Sequence, residues 1–142
     1  MNFFTKVILG SVAVLVAAAA AVMLFRSREA ARVDALLREA VGWAARGEGE
    51  RVAELIDDDF DGGADEARLE IRRRIKPGAL ERLELVGLKV GASGDQANAT
   101  LELRVQYRDI PVPIPETFYV GLRKRGEVWR VISVKRPEGP RR

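Results

Sequence analysis

The chain has 142 residues, 47% hydrophobic and 32% charged, a balance that excludes disordered and collagen-like classes and leaves room for one packed domain. It holds no cysteine and no histidine, which removes disulfides, thiolate nucleophiles, lipid attachment through cysteine, the usual zinc sites and any imidazole acid or base. All 21 acidic residues and all but one of the 24 basic ones follow Phe25, so the larger part is nearly neutral and no nucleic acid is expected as a partner.

Residues 1–6 form a short tail carrying Lys6. Val7 to Phe25 then runs for 19 residues without a charge. At helical rise it spans about 28 Å, close to the hydrocarbon thickness of a bilayer. The expectation is a single-pass, N-terminal transmembrane anchor over 7–25. A cleaved signal peptide competes with it, because Ala17 to Ala21 offers small-residue cleavage sites. Against cleavage, the apolar run continues through Val22, Met23, Leu24 and Phe25. The side of the membrane stays open. Arg26, Arg28, Arg32 and Arg38 after the segment favour a cytoplasmic domain under the positive-inside rule, whereas the tail before it has only Lys6.

A domain over 27–136 follows. Val33, Leu36, Leu37, Ala40, Val41 and Ala44 recur at helical spacing and predict a helix from Ser27 to Gly47, which either starts anew or continues the anchor. Trp43, beside this stripe, is expected to close the core. A second helix is expected over Glu50 to Asp57, burying Val52, Ala53, Leu55 and Ile56. After Gly62-Gly63 a third is expected over Ala64 to Ile75, ended by Pro77-Gly78.

From Leu80 the apolar period changes to two, and four strands are expected. The first, Leu80 to Val90, switches its apolar parity between Leu83/Leu85 and Val86/Leu88/Val90, which places a bulge near Gly87. The second alternates from Ala97 to Tyr107. Asp109 to Pro115 interposes three prolines before Thr117 to Lys124, and Val128 to Lys135 closes the sheet. Residues 137–142 form a loose basic tail. The fold class is α+β: an N-terminal transmembrane helix, then three helices on one face of a curved antiparallel sheet of about four strands, with a cavity between helix and sheet.

The stretch from Ala45 to Phe60 (ARGEGERVAELIDDDF) resembles the turn and second helix of the nuclear transport factor 2-like superfamily, the cone-shaped fold that includes ketosteroid isomerase. The ending from Phe118 to Val134 (FYVGLRKRGEVWRVISV) is similar to that family's last hairpin, with its Gly-x-x-Trp-Arg close. The resemblance covers residues 28–136 and speaks to fold, because this scaffold hosts enzymes, binders and assembly modules alike. Its dehydratase branch works with histidine, which is absent here. Its isomerase branch implies a carboxylate base with a tyrosine and a protonated aspartic acid in an apolar pocket, for which Asp61 as base and Tyr107 or Tyr119 are the cavity candidates. Their plainer reading is two strand tyrosines and a helix-preceding aspartate.

A sharper local pattern is Asp57-x-Asp59-x-Asp61-Gly62, the opening of a calcium loop. The pattern then fails, since Arg68 stands where a closing glutamate is needed, so no metal and no cofactor is expected. Arg68, Arg72, Arg73, Arg74 and Lys76 suit the C-terminal half of the third helix or contact anionic lipid. The residues lead to a membrane-anchored, non-catalytic binding or assembly domain, more plausibly not an enzyme. Its candidate partners are another protein, a second copy through the sheet, or a small apolar ligand. The alternative is a small isomerase- or dehydratase-like enzyme using the cone cavity.

Overall fold

The computed structural model describes residues 3–137, with positions 3–13, 22 and 25 described as backbone only. No proline or glycine pair interrupts residues 3–45, and one unbroken helix, α1 (Phe3–Ala45), takes them. Of the two possibilities for the first domain helix, a new start or a continuation of the Val7 to Phe25 segment, the backbone takes the second. Much of the Val7 to Phe25 span lies outside the described side chains, and among the described residues no helix is long and apolar enough to cross a membrane.

α1 ends where Gly47 adopts φ +76°, its amide donating to Ala44 O at 3.1 Å while the Glu48 amide donates to Trp43 O at 2.8 Å. These two bonds satisfy carbonyls of the last turn and reverse the chain. A Cβ at Gly47 would stand 2.5 Å from Pro77 N, so this position requires glycine twice over.

The second helix is shorter than its periodicity suggests. α2 (Gly49–Ala53) stops after one turn, and Ile56 instead forms a parallel bridge with Val131. Asp57 N–H donates to Val131 O at 2.9 Å and Val131 N–H to Leu55 O at 2.7 Å, so this segment covers the sheet's last edge. α3 (Ala64–Arg74) matches the expectation within one residue and turns Ala67 and Ile71 toward the core, leaving Leu69 exposed.

The sheet has the order β1-β2-β3-β4, all antiparallel: β1 (Leu80–Ser93), β2 (Gln96–Tyr107), β3 (Ile114–Arg125) and β4 (Val128–Lys135). The register between β1 and β2 shifts between Leu85 and Gly87. Val86 is thereby extruded, and Leu83, Leu85, Leu88 and Val90 all reach one face. On that face Ala97, Ala99, Leu101, Val120, Leu122, Trp129 and Val131 meet Val33 and Leu37 of α1 and Ile56. Val33 and Leu122 are wholly buried. The space expected as a cavity is here the hydrophobic core.

Candidate functional site

The three alternate aspartates lie between α2 and α3, and the structure supplies their cation from the chain itself. Asp57 is buried, and the Arg125 guanidinium reaches it from the β3–β4 turn with Nε to Oδ1 at 3.2 Å and an Nη to Oδ2 at 3.1 Å. The same guanidinium meets Asp59 Oδ2 at 2.8 Å, and the Asp59 amide donates to Asp57 Oδ2 at 3.0 Å. The Arg125 hydrogen bond, helped by the Asp59 amide, holds the Asp57 carboxyl below its ordinary range despite burial, which pushes it up. Asp61 does not join this pair. Its amide donates to Ile132 O at 2.9 Å and its side chain is exposed. Arg68, at the position a glutamate would need, donates to Ile56 O at 3.0 Å and Asp58 Oδ1 at 2.8 Å, and so fastens α3 to the same loop. Among the described residues no group of three or more acidic side chains is arranged to hold a metal ion.

A second buried acid went unread in the sequence. Glu29 lies on α1 with only 3% of its surface exposed. Trp129 Nε1 donates to Oε2 at 2.8 Å and Lys124 Nζ to Oε1 at 3.1 Å, with an Arg32 Nη at 3.4 Å. Burial alone would raise this carboxyl. The hydrogen bonds from Lys124 and Trp129 and the charges of Lys124 and Arg32 outweigh it, and the group titrates below its ordinary value. In the sequence Glu29 stands in an arginine-rich run that resembles a solvated helix face. Only its spacing of four residues before Val33, on the buried stripe, hinted otherwise.

The cavity candidates are not brought together. Tyr119 pairs with Thr100 on the outer face and is 47% exposed. Tyr107 belongs to the inner face, seven residues or about 23 Å further along β2. Its hydroxyl donates to Glu116 Oε1 at 3.5 Å. Asp61 is at the β4 edge. Every buried side-chain nitrogen and oxygen among the described residues has a partner.

A concavity lies elsewhere, between the end of α1, α2, α3 and the start of β4. This cleft of about 590 Å³ is lined by Trp43, Arg51, Arg68, Arg72, Trp129 and Arg130 among others. Trp43, expected to close the core, is half-exposed here and lies 5.8 Å from the Arg51 guanidinium. Arg72 is neutralised by Glu50 at 2.9 Å and Arg68 by Asp58. Arg130 donates to the Glu54 carbonyl at 2.7 Å, and Arg51 faces a ring, so neither has a carboxylate partner among the described ion pairs. Arginine beside a half-buried indole suits an anionic group carried on an apolar or aromatic body.

No protein-family model matches the sequence, and no curated protein matches it. Solved structures do match in fold. An NTF2-like protein of unknown function from Pseudomonas putida KT2440 superposes with a TM-score of 0.67 at 19% identity, over 76% of this chain and 84% of that one. The association domain of C. elegans CaMKII gives 0.61 at 11% identity, over 77% and 95%. An NTF2-like family protein from Streptomyces avermitilis, proposed to be a dehydratase, gives 0.61 at 14%, over 76% and 94%. The domain has the NTF2-like fold, and these identities speak to fold alone.

Proposed function

We propose that the chain is a membrane-anchored, non-catalytic NTF2-like binding domain whose arginine–tryptophan cleft takes an acidic segment of a partner protein. One observation carries the non-catalytic part: the space between α1 and the sheet is filled by Val33, Leu37, Leu101, Val120, Leu122, Trp129 and Val131. Apolar side chains stand there, and the polar groups that are buried are engaged with one another. Nothing in the geometry favours the alternative, an isomerase- or dehydratase-like reaction on Asp61 with a tyrosine.

The anchor rests on the 19 uncharged residues from Val7 to Phe25 and on the helical backbone that continues through them. Val14, Leu15, Val16, Met23 and Leu24 are each more than 60% exposed, apolar surface that an acyl environment would cover. The choice of cleft over sheet rests on the sheet's outer face, where Asn98, Glu102 and Arg104 are exposed polar or charged residues beside Tyr119.

A titration tests this reading. The full chain in detergent is mixed with an oligoglutamate peptide at low ionic strength while tryptophan emission is followed, Trp43 being the half-exposed indole. The reading expects a saturable change that salt weakens and that the double variant R51E/R130E loses. No saturable change at low salt would contradict it.

A further inference from the structure

We propose that Glu29 locks the β3–β4 hairpin tip and the β1–β2 turn against the phospholipid headgroups of the membrane that α1 enters. The inference rests on the anchor reading above and adds a fixed pose and a lipid-facing surface to it.

Glu29 follows Phe25 by four residues, about 6 Å of helical rise. A headgroup layer is about 5–8 Å thick on each side of the hydrocarbon. Glu29 therefore stands at the outer boundary of that layer. Its partners are drawn to the same level: Trp129 at 2.8 Å and Lys124 at 3.1 Å, while Arg32 bridges Glu29 at 3.4 Å and Glu127 at 3.7 Å. The Lys124 amide donates to Asp95 O at 2.7 Å, which brings the β1–β2 turn to this end as well.

No hinge separates this clamp from the apolar segment, because α1 is unbroken and its Val33 and Leu37 are core residues. Domain and anchor thus move as one body. The surface so presented is suited to headgroups. Arg26 and Arg28 are exposed beside the apolar segment for phosphate contact, and Val128, 51% exposed at the hairpin tip, is apolar. Lys124 and Arg125 are already committed to Glu29 and to Asp57 and Asp59.

The same geometry carries the basic end of α3 away from the lipid. The Ile75–Pro77 segment after α3 packs on Gly47 and Gly49, and Gly47 lies 22 residues or about 33 Å of rise beyond Phe25. Trp43 stands toward that far end, while Val128 and Trp129 carry the other end of its cleft toward the hairpin tip. The Asp109 to Pro113 loop, with exposed Ile110 and Val112, joins the strand ends opposite the hairpin tip.

The chain contains no cysteine, so single cysteines report cleanly. V128C, V112C and L15C replace exposed side chains and are each labelled with a small fluorophore in the full chain. The labelled chains are reconstituted in phosphatidylcholine–phosphatidylglycerol vesicles containing either headgroup-spin-labelled or acyl-chain-spin-labelled lipid. The proposal expects headgroup-labelled lipid to quench position 128 at least about twofold more than position 112, and acyl-labelled lipid to quench position 15. Equal quenching at 128 and 112, with position 15 quenched, overturns the docked pose and leaves the anchor standing. Absence of acyl quenching at position 15 overturns the anchor itself, and the pose with it.

Discussion

Trp129 Nε1 donates a 2.8 Å hydrogen bond to Glu29 Oε2 across 100 residues of sequence, joining the helix that leaves the apolar segment to the last strand of the sheet. Both partners are at least 96% buried. Removing the carboxylate strands an indole N–H and the Lys124 ammonium. Glu29→Ala is expected to cost about 3 kcal/mol, as breaking a buried charged network does. Glu29→Gln is expected to cost less, since its amide oxygen still accepts from Trp129. Urea unfolding of the chain in detergent, followed by tryptophan emission, measures both. An E29A chain as stable as the parent would remove Glu29 from this role.

Acid should unfold the domain through the same group and through Asp57. Both carboxyls titrate lower in the folded chain than their ordinary values. Their stabilisation is therefore fully present above the unfolded values, near 4.3 for Glu and 3.9 for Asp, and is lost as pH falls through the lower folded values. The melting temperature is expected to hold near neutrality and to drop below about pH 4. The double variant E29Q/D57N should start lower and lose part of that slope.

Calcium should leave the parent chain unmoved. Arg125 already stands between Asp57 and Asp59 at 3.1 and 2.8 Å, and a divalent ion would have to expel it. Millimolar calcium is expected to produce no shift in melting temperature, whereas Arg125→Gln alone should lower it. A calcium-dependent rise in the parent would show that the aspartates prefer a metal to the arginine.

Leu122 tests the filled interior. It is wholly buried against α1, and Leu122→Ala is expected to cost about 2–5 kcal/mol with the cavity it leaves. Tyr119, three positions away on the outer face and 47% exposed, should cost less than about 1 kcal/mol as alanine. Similar losses at the two positions would mean that the two faces of β3 have been assigned wrongly.

Local pattern made most of the fold legible. The strict alternation from Ala97 to Tyr107 gave β2 and its buried face, and the parity switch in β1 gave the register shift near Gly87, although Val86, expected with Leu88 and Val90, is the residue turned outward. Where a short apolar run fits two periods, pattern failed. Leu55 and Ile56 continue a helical spacing from Val52, yet the open edge of β4 captures them as a bridge. The site was less legible because its partners are distant in sequence. Asp57 and Asp59 are paired with the Arg125 side chain, 68 and 66 residues away, which no local spacing reveals. Trp43 and Trp129 were equally apolar in sequence. Trp129 is the buried one, its indole N–H bonded to Glu29.

The account depends most on the apolar segment. Membranes from cells expressing the full chain with a C-terminal tag, washed with alkaline carbonate and separated by sedimentation, test it directly. The account expects the intact, uncleaved chain in the membrane pellet, and a chain lacking residues 7–25 in the supernatant. Release of the intact chain by carbonate, or recovery of a product cut after the Ala17 to Ala21 run, would contradict it.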